Sequence, residues 1–330
     1  MRQRPLGATG LAVSEIGFGC GPTAGLMIEA SAAERREAVG AALERGITYF
    51  DTAPVYGGGM SEAHLGQALA ELDANPVVAT KVALEAQDFG DIAQATVRSV
   101  EASVQRLGRP VTLIHLHNRI GAARAARAAF GSGAMLTVDD VLGPAGVMEA
   151  FDFLRARGLV RYFGCSAYGG DMHCVRTVVE AHRFHALVVS FSALNPTAWK
   201  ACAAGAALRD YAGIGDRAAA CGMGTIALRV LEAGLLGAAM PPPEAGSEQE
   251  RMWRLAPAVR ERFAAEGIAP AQGAIRYVLS QPGISCALVG FSSLAQIAQA
   301  ADAAAAGPLA AGLLDRLEAL RTSGPAFASH

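Results

Sequence analysis

The chain has 330 residues, long enough for one large α/β barrel or two ordinary domains with a substantial core. Its 28 basic residues against 30 acidic ones give a net charge of −2, which excludes the basic footprint of a nucleic-acid binder. The mean hydropathy of +0.28 reflects alanine richness, and no run of about 18 apolar residues is free of charges or turn formers, so no membrane partner is expected. The opening MRQRPLGATG lacks the apolar stretch of a leader. The six cysteines (20, 165, 174, 202, 221 and 286) form no CxxC pair and read as buried thiols of a reducing compartment. A cytoplasmic protein with a single domain over 1–330 is the expectation. Its only lysines are Lys81 and Lys200. Arginine supplies the ordinary surface charge, so a lysine here is a candidate for a task arginine cannot do, such as titrating.

PLGATGLAVS at the start predicts a small β-hairpin turning at glycine. Strand and helix patterns then alternate: EIGFG (strand), a Ser-capped and Gly-stopped helix over 31–46, ITYFDT (strand), a helix over 61–72, and NPVVATKV (strand). A helix over 91–108 precedes VTLIHLH, and a helix over 141–158 precedes LVRYFGCS. A helix over 171–183 leads to HALVVSF, one over 215–222 to MGTIALRV, and helices within 248–281 to SCALVG. The last predicted element is a helix over 293–304. About eight βα units without a composition break predict one (β/α)8 barrel, an α/β TIM barrel with an N-terminal hairpin and its chemistry on the C-terminal-face loops. The connections at 52–60, 118–138, 192–212 and 229–247 are long, and PPPEAGS at 241–247 is a lid candidate. AARAARAAF at 122–130 reads as a solvated helical face.

Three neighbouring strands deliver polar groups to one rim. FDTAPVYGGG puts Asp51 at a strand tip and Tyr56 a short loop later; VVATKV puts Lys81 at the next tip. LIHLHN puts His117 at the third, with His115 two residues below on the same face. A lysine among apolar strands needs a counter-ion, and Asp51 can supply it. An adjacent ammonium is expected to lower the phenol pKa of Tyr56, and an imidazole can hydrogen-bond a carbonyl oxygen as charge develops on it. Such a set moves a proton to or from an oxygen and contains no nucleophile, so the hydride must come from a bound cofactor.

PLGATGLAVSEIGFG, FDTAPVYGGGMSEAHLG, VVATKV, LIHLHN, LVRYFGCSA and ALVGFSSLAQI, in that order, resemble the aldo-keto reductases over essentially the whole chain. That resemblance implies a (β/α)8 barrel holding NADP or NAD across its C-terminal rim. It implies a catalytic tetrad of Tyr56 as general acid/base, Lys81 as its partner, Asp51 as orienter and His117 as the carbonyl-positioning residue. It implies cofactor contacts from Gly19, Ser166, Leu231, Gly290, Phe291, Ser292 and Gln296, and interconversion of an aldehyde, ketone or sugar lactol with an alcohol or lactone; Arg229, at the strand-seven tip, is a candidate to reach the cofactor pyrophosphate, with a solvated rim arginine as the other reading. Pro22 stands where a Rossmann fingerprint would carry its third glycine.

The cradle departs from the family pattern: Ala167 replaces an Asn, Val188 a Gln and Leu228 a stacking aromatic. The tail around Gln296 lacks the Lys and Arg that grip a 2′-phosphate, so NADH use at least comparable to NADPH is expected, unless Arg229 or Arg276 arrives from elsewhere. Met27, Val55, Phe130, Tyr168 and Trp199 are the expected rim of a small-carbonyl pocket, with no arginine at an obvious carboxylate-binding position. Two other readings stand beside this one. The His115-Leu116-His117 pair suits a metal-dependent barrel hydrolase, although no further ligand sits clearly at a strand tip. The altered cradle suits a nicotinamide-binding regulatory protein with little turnover.

Overall fold

The computed structural model describes residues 1–127, 132–200 and 208–323. The hairpin β1 (Gln3–Pro5) and β2 (Ala12–Ser14) pairs antiparallel and lies across one end of a barrel. The first barrel strands are β3 (Ile16–Gly19), β4 (Tyr49–Asp51), β5 (Val77–Val82) and β6 (Val111–Leu116). A small parallel ribbon, β7 (Arg119–Ile120) with β8 (Met135–Leu136), interrupts the loop that follows. The remaining barrel strands are β9 (Val160–Ser166), β10 (Ala186–Ser190), β11 (Gly224–Leu228) and β12 (Cys286–Gly290). All eight pair in parallel, and β12 closes on β3, giving the (β/α)8 architecture expected.

The helices are α1 (Leu26–Glu29), α2 (Ala32–Glu44), α3 (Met60–Glu71), α4 (Ile92–Leu107), α5 (Val138–Leu142) and α6 (Val147–Ala156). They continue with α7 (Met172–Glu180), α8 (Ile214–Ala220), α9 (Glu248–Ala265), α10 (Pro270–Leu279), α11 (Leu294–Ala305) and α12 (Ala311–Ser323). Local chemistry sets their ends: Ser31 and Glu34 form a capping box before α2, Asp91 caps α4, and Gly108 stops it in a left-handed turn. Beside the short α1 and the β7–β8 ribbon, which the sequence reading did not include, the structure departs from expectation in one helix boundary and one further helix. The helix expected over 141–158 is two helices, broken at Gly143-Pro144, where Ala145 takes a positive φ of 56°. The last helix, α12, was not anticipated; it docks on the outer layer through Leu313 and Leu317.

Strand alternation separates two cores. Phe18, Phe50, Val78, Ile114 and Phe163 point outward into the layer shared with the helices. Tyr49, Ala79, Leu113, Ala186, Val188, Ile226 and Cys286 point into the barrel, and Leu6 from the hairpin fills its lower end. The same parity carries Asp51, Lys81 and His115 inward at the opposite end. Of the six cysteines, Cys20, Cys165, Cys174 and Cys286 are buried free thiols and Cys221 is a half-buried one, while Cys202 lies outside the described residues. Residues 122–127 of the expected solvated helical face carry only bends and a bridge from Ala125 to Met135.

Close packing of the outer helices makes a direct test. A Cβ added at Gly66 of α3 would lie 2.5 Å from the carbonyl oxygen of Leu107, the last residue of α4. Gly66→Ala is expected to lower unfolding stability by about 1–3 kcal/mol, as overpacking does. Urea titration measures it, and an unchanged midpoint would mean these helices separate at no cost.

Candidate active site

The inward-facing tips of β4, β5 and β6 meet at one end of the barrel. Lys81 sits opposite His115 in the strand register, and its ammonium donates hydrogen bonds to an oxygen of Asp51 and, at 2.8 Å, to the carbonyl of Thr52. Lys81 and Asp51 are 5% and 1% exposed, so this ion pair is shielded from water. The chain's other lysine, Lys200, makes a half-exposed pair with Glu318. Tyr56 arrives from the turn after β4, and Gly57, Gly58 and Gly59, at φ 59°, 61° and 93°, swing the chain from it into α3. The Lys81 Nζ lies 4.9 Å from the centre of the Tyr56 ring. Gly21 packs beside that ring, where a Cβ would make ordinary van der Waals contact at 3.6 Å. The His117 ring stands nearly perpendicular to Tyr56, at 87° with centroids 6.3 Å apart. Its backbone is tied to the Val82 carbonyl, and its Nδ1 is buried without a hydrogen-bond partner among the described residues.

Beneath these groups lies a second polar layer. The Tyr49 hydroxyl is 3.4 Å from Asp51 Oδ2 and 3.4 Å from His115 Nε2. Burial first, and then the Lys81 charge, hold His115 at about 3, so its imidazole is neutral. Burial, followed by Lys81 and Arg119, likewise keeps His117 well below the ordinary histidine value. Burial opposes the charge on Lys81, but Asp51 and Tyr56 outweigh it and hold the ammonium above its usual value. For Asp51, burial pushes the carboxyl up and Lys81 pulls it back. Tyr56 departs from the sequence expectation. Lys81 does pull its phenol down, but burial outweighs that pull and the phenol lies above its ordinary value.

The cofactor candidates fall in two groups. Arg229, Leu231, Gly290, Phe291, Ser292 and Gln296 line one groove of about 540 Å³ on the β11, β12 and β3 side of the rim, together with Thr23, Ala24, Gln272 and Gln299. Gly19 and Ser166 lie outside its lining. Gly19 pairs with Gly290 and Asp51 between groove and ion pair, and Ser166, at the end of β9, accepts the Tyr168 backbone N–H. The N-terminus of α11 opens on the groove, capped by Ser293, with Gln296 held by the backbone and hydroxyl of Ser292. Arg229 is the one cation among the described residues lining the groove. Arg276 does not reach it, because its guanidinium is held by the carbonyls of Gly307 and Pro308. The groove fits a dinucleotide: a volume in the range of ligand sites, glycine at Gly290 where a Cβ would crowd Ala24 at 3.0 Å, and helix-end amides beside a guanidinium.

Two expected rim residues are placed differently. Met27 is 1% exposed in the outer core, and Trp199 packs against Phe191 and the bare faces of Gly215 and Gly283. Phe130 lies outside the described residues. Val55 is exposed and Tyr168 half-buried at the barrel mouth. Sequence reasoning missed Arg119, buried two residues past His117, whose Nη1 donates to the His117 carbonyl at 3.3 Å. It also missed Glu232, whose carboxyl burial pushes up to about 7 while Ser192 donates to it at 2.6 Å. Arg119 continues the same alternation as His115 and His117, a signal available in the sequence.

The profile of the Aldo/keto reductase family matches residues 15–322, and the chain belongs to that family of oxidoreductase enzymes. It is 35% identical over 119 residues to L-galactose dehydrogenase of Arabidopsis thaliana, covering 35% of this chain and 37% of that one. It is 29% identical over 208 residues to pyridoxal 4-dehydrogenase of Microbacterium luteolum, covering 54% and 58%. The chain therefore spans well under two thirds of either relative's length. An uncharacterized Bacillus subtilis oxidoreductase, YqkF, aligns over 92% of this chain and 91% of its own at 24% identity. In fold, the aldo-keto reductase AKR11C1 of Bacillus halodurans, in its holo form, superposes with a TM-score of 0.73 over 97% of this chain and 96% of its own, at 22% identity.

The ion pair carries a stability prediction. Lys81→Met leaves Asp51 buried without its counter-ion, which costs about 3–5 kcal/mol. With the folded-state pKa of Asp51 raised above its unfolded value, the folded form binds the extra proton. The variant's stability is then greatest below the unfolded pKa and lost as pH rises through the folded one. Denaturant titrations at pH 5 and pH 8 should find it weaker at pH 8, and adding Asp51→Asn should recover part of the loss; equal stability at both pH values would contradict this account.

Proposed function

We propose that this enzyme is a nicotinamide-dependent aldo-keto reductase that interconverts a small aldehyde, ketone or sugar lactol with the matching alcohol or lactone, using Tyr56 as general acid/base. The observation that carries the proposal is the buried Lys81–Asp51 pair set against the Tyr56 phenol, with His117 across from it. A bound nicotinamide dinucleotide supplies or accepts the hydride. Arg229, Leu231, Gly290, Phe291, Ser292 and Gln296 would hold it, with Gly19 and Ser166 at the edge nearer the ion pair. In reduction, the neutral His117 orients the carbonyl oxygen, and the Tyr56 O–H bond breaks to protonate that oxygen as negative charge develops on it. Lys81 stabilises the phenolate left behind, and Asp51 keeps the ammonium charged and aimed. In oxidation the same groups run backwards, Tyr56 taking the hydroxyl proton. The raised phenol pKa keeps Tyr56 protonated near neutrality, the form that reduction requires. Two relatives named for galactose and pyridoxal oxidation support a small carbonyl or aldose as substrate. A single domain over 1–330 and a cytoplasmic location complete the reading; the five described cysteines are free, and no helix among the described residues is long and apolar enough to cross a membrane.

Tyr56→Phe should lower kcat by about 100-fold or more while leaving cofactor affinity unchanged, since it removes only the transferable proton. Steady-state rates and cofactor fluorescence titration measure the two, and retention of a tenth of the native kcat would remove Tyr56 from the role.

Cofactor choice follows from Arg229 being the one cation among the described residues that line the groove. The hydroxyls of Ser292 and Ser293 and the amide of Gln296 suit a ribose hydroxyl as well as a phosphate, so NADH should be used at least comparably to NADPH. The ratio of kcat/KM for the two with one substrate decides it; an NADPH preference above about 100-fold would mean that a further cation grips the 2′-phosphate.

A further inference from the structure

One wall of the cofactor groove is the loop that follows β11. Arg229, Leu231, Ala233 and Gly234 of that loop line the groove, whereas Glu232 between them does not and is 4% exposed. Glu232 Oε1 accepts a hydrogen bond at 2.6 Å from the hydroxyl of Ser192, on the loop after the neighbouring strand β10. Ser192 Oγ, fully buried, already accepts the backbone N–H groups of Leu194 at 3.2 Å and Asn195 at 3.1 Å. Both of its lone pairs are engaged, so its proton has to be donated, and Glu232 is the acceptor. Buried atoms thus join two adjacent loops at the mouth. The loop held in this way is strained. Arg229, Glu232 and Ala233 take left-handed φ values of 62°, 46° and 53°, which side-chain-bearing residues keep only where their surroundings fix them.

Burial is the largest influence on the Glu232 carboxyl and pushes it up to about 7, so both of its forms are populated near neutrality. Among the described residues, the charged groups that act on it are Arg229 on its own loop, which favours the ionised form, and Glu248 at the start of α9, which opposes it; the loop after β10 contributes the neutral Ser192. A negative charge on Glu232 cancels part of the field that Arg229 offers an anion in the groove, and a neutral carboxyl leaves that field whole. We propose that Glu232 is a positioning residue of the cofactor site, whose carboxyl clamps the groove wall to the loop after β10 and takes up a proton as the dinucleotide pyrophosphate binds. This rests on the nicotinamide-dependent reading above and adds a proton, drawn from water, to its binding step. Either form of the carboxyl keeps an oxygen that accepts from Ser192, so the clamp holds while the charge changes. A group protonated in the complex and partly ionised in the free protein makes binding strongest below its free-protein pKa and weaker as pH rises through it.

NADH, which has no titrating 2′-phosphate, is the probe. Its Kd, measured by fluorescence titration, should rise about tenfold for the native protein between pH 6 and pH 8.5. Glu232→Gln keeps the acceptor oxygen and loses the charge, so its Kd should stay within about threefold over that range. Glu232→Ala loses the acceptor as well and should bind more weakly than Glu232→Gln at both pH values. Hydrogen exchange of the cofactor-free protein at one pH reads the clamp without any ligand. The amides of Gly234, Leu236 and Ala238, which bond within the loop, should exchange about tenfold faster in Glu232→Ala and near the native rate in Glu232→Gln, with the β5 amides unchanged. A native Kd that does not change with pH overturns the proton uptake, however the Ala variant behaves. If exchange follows the expected order but NADH and NADPH bind at neither pH, the clamp stands and the reductase reading fails. If NADH binds with the same pH dependence to the native and Gln proteins, and the loop amides of the Ala variant exchange at the native rate, the inference is overturned and the reductase reading stands.

Discussion

A positive charge with almost no access to water sets the terms for everything at the mouth of this barrel. Removing an ammonium and a carboxylate from solvent costs several kcal/mol per ion, which their mutual attraction offsets only when geometry and further hydrogen bonds are good. Here Lys81 meets Asp51 and the Thr52 carbonyl, and Asp51 is in turn braced by the Tyr49 hydroxyl. That anchored charge pulls the Tyr56 phenol toward ionisation and helps keep both His115 and His117 neutral. Remove it, and the phenol loses the charge that would stabilise its conjugate base, while burial still holds both histidines neutral.

The pair is possible because strand alternation delivers its members without strain. Asp51, Lys81 and His115 occupy inward positions on three consecutive strands, and the side chains below them, Tyr49, Ala79 and Leu113, form a packed floor. Small residues do the remaining work. Gly164 stands opposite His115 in the register because a Cβ there would overlap the imidazole. The polar cluster is thus fitted by the absence of side chains as much as by their presence.

This explains what could be read in the sequence and what could not. The barrel, the order of its strands and the convergence of Asp51, Tyr56, Lys81 and His117 follow from period-two alternation and helix caps, which are local signals. Trp199 was misplaced because the hollow that receives it is formed by Gly215 and Gly283, distant in sequence and silent by themselves. The upward shift of the Tyr56 phenol was missed for the same reason, since desolvation is a property of the assembled pocket. The helix over 141–158 was drawn too long although Gly143-Pro144 announced its break, and α12 went unseen because the count of eight βα units was already complete.

The hairpin gives the barrel a direction. Leu6 seals the lower end from inside, Gly7 lies so close to the backbone of Gly222 and Gly224 that no side chain would fit between them, and Glu15, itself buried, ties Arg2 and Arg4 across the outside. The vessel is a cup rather than a tube. Whatever enters must leave by the opening it came through, past loops free to vary while the sealed base keeps the walls in register. Selectivity therefore gathers at one pole of the molecule and closure of its core at the other.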